Sequence, residues 1–99
     1  MDIEDIAIER EESNGRGRYY IPLPDGAEAE LTYRRRDDHT IVADHTGTPP
    51  QHRNHGLALK LVLKAVEDAR SEGTKIVPLC SYVVAQFRRH PDWADLKAD

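Results

Sequence analysis

Two features of the sequence carry chemistry. The stretch Thr48-Pro49-Pro50-Gln51-His52-Arg53-Asn54-His55-Gly56-Leu57-Ala58 is a polar loop that runs straight into an apolar-periodic segment. A helix opening in this way aims the free N–H groups of its first turn, and the positive end of its dipole, at an anion such as a phosphate. The only cysteine, Cys80, closes a short apolar stretch, Lys75-Ile76-Val77-Pro78-Leu79-Cys80. At a strand end, just ahead of a helix N-terminus, its pKa should fall and its thiolate become a better nucleophile. His45, an imidazole that titrates near neutrality, is the candidate base. Together the loop and Cys80 suggest a phosphate-bearing acyl carrier whose reactive end lies near a thiol.

Composition bounds the rest. A chain of 99 residues supports one domain, and 38% hydrophobic content suits a small soluble globule. Apolar runs are too short to span a bilayer, and the acidic start Met1-Asp2-Ile3-Glu4-Asp5 is the reverse of a signal peptide; a cytoplasmic protein is expected. One cysteine excludes an internal disulfide. The net charge of −4 argues against a broad nucleic-acid surface. Yet residues 51–64 hold Arg53, Lys60, Lys64 and two histidines with no acid, a local basic patch suited to a small polyanion. The histidines His39, His45, His52 and His55 lack the cysteine spacing or carboxylate of a zinc set, so no metal is expected.

The elements that must position these residues are legible from periodicity. Ile6 to Glu11 reads as a first strand with Ile6 and Ile8 on one face, and Asn14-Gly15-Arg16-Gly17 as a hairpin turn. Arg18 to Leu23 is a second strand, at an edge or ended by Pro22. Asp25-Gly26 is a further turn. From Ala27 to Arg35, Ala29, Leu31 and Tyr33 take one face and Glu28, Glu30, Thr32 and Arg34 the other. Arg36-Asp37-Asp38 turns the chain into a fourth strand, Thr40 to Thr46. Leu57, Ala58, Leu61, Val62, Ala65, Val66 and Ala69 then form the apolar face of a helix that Gly73 stops. Lys75 to Cys80 is a buried-type strand expected to pair parallel to the fourth across the helix. Ser81 is a cap for a last helix to about Arg89, and residues 92–99 read as a loosely packed tail pinned by Trp93. The order β-β-β-β-α-β-α is an α+β arrangement on a mixed sheet of about five strands. A ligand cleft is expected where the fourth and fifth strands splay.

Arg53-Asn54-His55-Gly56-Leu57-Ala58 fits the pattern Arg/Gln-x-x-Gly-x-Gly/Ala. With the preceding Asp44-His45-Thr46-Gly47-Thr48-Pro49-Pro50, and the later Val77-Pro78-Leu79-Cys80-Ser81-Tyr82 and Arg88 to Leu96, the chain resembles the GNAT superfamily of acetyl-coenzyme A-dependent N-acyltransferases. It is nearest to the small single-domain branch, the N-acetyltransferase domain-containing proteins. The resemblance spans nearly the whole chain and is strongest from about Leu31 onward. It implies a single GNAT-like domain over residues 1–99, with acetyl-CoA as cosubstrate and a small or peptidic amine as acceptor, in a monomer or weak dimer. It implies that main-chain amides of Arg53, Asn54, His55, Gly56, Leu57 and Ala58 hold the coenzyme A pyrophosphate. It also implies that the pantetheine arm lies along the backbone from about Asp44 to Thr48. Many members have glycine where Asn54 stands.

The chemistry stays open at two points. Larger members place a tyrosine acid on the helix after the fifth strand, where this chain offers Phe87 and Arg88, with Tyr82 earlier. Transfer then runs either directly from coenzyme A to the amine or through Cys80, with His45 as base. The alternative to an enzyme is a non-catalytic module that senses or carries coenzyme A. Arg34-Arg35-Arg36 is a solvated strand end or a contact for the adenosine 3′-phosphate.

Overall fold

A computed structural model describes residues 7–53 and 55–98. Asn14 and Gly15 both have positive φ (55° and 78°), the pairing that a two-residue hairpin turn demands. The turn is therefore tighter than Asn14 to Gly17, and ladder pairing begins at once with Ser13 opposite Arg16. This moves the first strand, β1, to Glu9–Ser13 and starts β2 at Arg16, so β2 is Arg16–Pro22. Ile8 still packs against the core, ahead of the strand; Ile6 lies outside the described residues. β1 pairs only as far as Tyr20, so Pro22 sits where β2 needs no further donor on that side.

β3 (Glu28–Asp37) and β4 (Thr40–Gly47) complete an antiparallel meander. Helix α1 (Leu57–Glu72) then returns the chain to β5 (Lys75–Pro78), which runs parallel to β4. The sheet order is β1-β2-β3-β4-β5. The alternation of β3 buries Ala29, Leu31 and Tyr33 on the face that α1 covers. The helix contributes Leu57, Leu61, Val62, Ala65, Val66 and Ala69 to the same core. Gly73, at φ 72°, ends it, with its N–H donating to the Ala69 carbonyl.

α2 is Ser81–Arg89. Its N-cap is Cys80 rather than Ser81, which is already helical. The chain beyond is not loose. Pro91–Leu96 forms a 3₁₀ helix that buries Trp93 and Leu96. Trp93 meets Phe87 edge-on at 5.4 Å and stacks on His90 at 3.9 Å. Ala98 N–H donates to the Ile76 carbonyl, so the tail also covers the outer edge of β5.

Candidate active site

β4 and β5 pair from Thr40–Lys75 to Ala43–Pro78 and then separate. The Ala43 carbonyl accepts both Leu79 N–H and Cys80 N–H at 3.0 Å, the last main-chain links between the two strands. Beyond it β5 turns into α2, while β4 continues through residues 44–47 with no strand paired on that side among the described residues. This is the splay expected from the sequence.

Cys80 stands at the fork. Its Sγ lies 3.5 Å from Thr46 Oγ1 across the gap, and the residue is partly exposed. Burial is the largest single influence on the thiol and pushes its pKa up. The Thr46 hydroxyl and the amides of Val83, Tyr82 and Thr46 favour the thiolate, and together they hold the pKa below the ordinary value.

The loop after β4 passes through a 3₁₀ turn, Pro50–His52, and reaches Gly56. Gly56 is the N-cap of α1 in the left-handed region (φ 72°, ψ 19°), a conformation that costs glycine nothing. Among the described residues no side chain caps α1, and its first turn holds no acid. Orphan amides at a helix start of this kind are suited to an external acceptor. The start of α1 opens on a groove of about 260 Å³ lined by Thr48, His52, Arg53, Gly56, Leu57, Ala58 and Tyr82.

Of the loop residues expected to bind, Arg53, Gly56, Leu57 and Ala58 line this groove. His55 is exposed beside it, and Asn54 lies outside the described residues. Thr48 and His52, from the same polar loop, and Tyr82, from α2, complete the lining. Burial pushes the Tyr82 hydroxyl pKa up, so it stays protonated at neutral pH. Phe87 is buried against Trp93, facing the core.

His45 is not brought to Cys80. Tyr33 pairs with Ala43 and Thr32 with His45, which leaves Asp44 as an extra residue in β4. This bulge resets the alternation of side chains. Thr46, opposite the buried Leu31, faces the side of Cys80. His45 falls on the other face, 59% exposed and 3.8 Å from Glu30. Asp44 accepts a 2.6 Å hydrogen bond from Thr32.

Residues 18–96 match the family model of the GCN5-related N-acetyl-transferases. The chain belongs to this family. It is also similar to the NMR solution structure of a GCN5-like protein from Staphylococcus aureus. That match has a TM-score of 0.69 and 30% identity, over 91% of this chain and 87% of that one. The GNAT fold thus accounts for the mixed sheet, the α1 crossover and the fork between β4 and β5.

Elsewhere in this GNAT domain, Arg34 to Arg36 sit at the β3 end that pairs with the start of β4. Strand rise puts them about 20 Å from the loop, out of its reach; Arg35 is instead bonded to Glu12 at 2.9 Å. A larger concavity, about 440 Å³, lies away from the loop, lined by residues including Glu11, Arg18, Thr32 and Asp44. Its charges are largely matched internally, with Arg18 held by Glu11, Glu28 and Glu30. Among the described residues it offers no cluster of free donors for a phosphate. Among the described residues no group of three or more His, Cys, Asp or Glu is placed to hold a metal, and no helix is long and apolar enough to cross a membrane.

Proposed function

We propose that this GNAT domain binds acetyl-CoA and transfers its acetyl group to an amine by way of Cys80. The observation that carries the reading is the uncapped N-terminus of α1, opening at left-handed Gly56 onto a groove lined by Arg53. The pyrophosphate takes the first-turn amides, and Arg53 adds charge. The pantetheine arm follows the unpaired edge of β4 over residues 44–48 toward the fork, which brings the thioester to Cys80.

The Cys80 thiolate then attacks the acetyl carbonyl carbon. The new C–S bond forms, the bond to coenzyme A breaks, and the departing thiolate takes a proton from Tyr82 or water. An amine attacks the acetyl-cysteine in a second step, expelling Cys80 as thiolate and losing a proton to a base. His45 serves as that base only for an amine arriving on the outer face of the sheet, and it does not deprotonate Cys80.

The test is mass spectrometry of the protein after brief exposure to acetyl-CoA, followed by chase with polyamines, lysine peptides and arylamines. An acetyl adduct on Cys80 that the amine discharges supports the reading. Coenzyme A binding with neither adduct nor turnover supports the second reading, a non-catalytic coenzyme-binding module. The feature favouring that alternative is Phe87, packed on Trp93 in the helix where larger members carry a tyrosine acid.

A further inference from the structure

The loop between β4 and α1 is exposed and poor in internal bonds. His52 N–H donates to the Pro49 carbonyl at 2.9 Å and Arg53 N–H to the Pro50 carbonyl at 3.4 Å. Arg53 Nε reaches the Thr48 carbonyl at 3.5 Å. Among the described residues, both side-chain hydrogen bonds that leave this loop end on one oxygen. Asp25 Oδ2 accepts from Gln51 Nε2 at 3.2 Å and pairs with His52 Nε2 at 2.8 Å.

Asp25 belongs to a different part of the chain, the turn between β2 and β3, and that turn is itself fixed. Leu23 N–H donates to the Ala27 carbonyl at 2.9 Å, and Gly26 N–H to the Leu23 carbonyl at 3.0 Å. Asp25 Oδ1 accepts from Ala27 N–H at 3.1 Å. Leu23 on one side and Ala29 on the other are buried. One carboxylate oxygen therefore holds its own turn, and the other holds the loop. His52, the closer partner, lines the groove beside Arg53 and Gly56.

We infer that Asp25 is a positioning residue for the coenzyme, fixing the loop ahead of α1 at His52 and Gln51, beside Arg53 and Gly56, in the shape a diphosphate needs. The inference rests on the proposed coenzyme site and adds to it a residue that touches neither the coenzyme nor Cys80. Without the tie the loop samples other shapes. Apparent affinity then falls by the fraction of time the binding shape is present. The step at Cys80, remote from the turn, proceeds as before once the coenzyme is bound.

The experiment is calorimetric titration of the whole chain with coenzyme A. Asp25→Asn keeps an acceptor for Ala27 N–H and removes the charge. It is expected to weaken binding about five- to tenfold, with KM for acetyl-CoA raised alike and kcat unchanged. His52→Ala weakens binding at least as much, and the double variant falls short of the summed effects, because both changes break the His52–Asp25 tie and only the Gln51 tie is lost anew. His52→Gln, whose amide can donate in the same direction, recovers affinity only when Asp25 is present. A folded Asp25→Asn protein that binds within about twofold of the original, or additive effects in the double variant, overturns the inference. Failure of the unmodified protein to bind coenzyme A at millimolar concentration is a separate result and removes the coenzyme site itself.

Discussion

Cys80 Sγ faces Thr46 Oγ1 at 3.5 Å across the point where two parallel strands part. The hydroxyl can donate to a thiolate but gains less from a thiol, so it favours the charged form. Thr46→Val keeps the shape and removes the donor. Its alkylation rate with iodoacetamide, followed against pH, should show an inflection above that of the unmodified protein and slower reaction at neutral pH. An unchanged profile excludes Thr46 from tuning the thiol.

Cys80→Ala tests the covalent route directly. Acetyl transfer should fall by orders of magnitude, on the scale of about a hundredfold or more for loss of a reacting group. Coenzyme A affinity should stay nearly intact, since the groove at the start of α1 does not include Cys80. Undiminished turnover would return the mechanism to direct transfer.

Gly56 separates backbone strain from binding. Gly56→Ala forces a Cβ into the left-handed region and should cost about 1–2 kcal/mol of stability, while leaving the α1 amides available. Gly56→Glu adds the same strain and sets a carboxylate beside the diphosphate. In thermal unfolding, the unmodified protein at a hundredfold excess of coenzyme over Kd should gain about 2.7 kcal/mol, or roughly 10–20 °C in Tm. The Ala variant should keep most of that gain and the Glu variant none.

The Asp25 carboxyl is pulled down to about 2, first by His52, then by the Ala27 amide and Gln51. Its folded value lies below the unfolded value of about 3.9. The stabilisation is therefore fully present above roughly pH 4 and is lost as pH falls toward 2. Carbon-13 NMR of the carboxyl should give a midpoint near 2, and Asp25→Asn should flatten the stability change over that window. A midpoint near the unfolded value would mean that the tie to the loop is not populated in solution.

Leu61 is 0% exposed, on the α1 stripe that packs against the sheet. Leu61→Ala should lower stability by about 2–5 kcal/mol in denaturant titration. A smaller loss would indicate that α1 is not seated on β2 and β3 as described.

Periodicity alone determined a good deal of this protein. The alternation of Ala29, Leu31 and Tyr33 and the stripe from Leu57 to Ala69 set which faces are buried, because side-chain direction follows the backbone period. Asn14-Gly15 and Gly73 marked chain reversals because positive φ selects few residue types. The start of α1 at Leu57 was legible from the same stripe, which begins where the polar loop ends.

What the chain could not announce was decided by contacts between distant segments. The extra residue at Asp44 has no residue type of its own that marks a bulge, yet it moves His45 to one face and Thr46 to the other. Tyr82 lines the groove only because α2 leaves the end of β5 beside the start of α1. The tail is ordered because Trp93 finds Phe87 and Ala98 finds the open edge of β5. Asp25 and His52, 27 residues apart, meet because the β2–β3 turn and the β4–α1 loop lie at one end of the sheet. Local sequence fixes conformations through sterics and hydrogen bonding within a few residues, whereas these pairings depend on strand register, which is set only when the whole sheet closes on its helix.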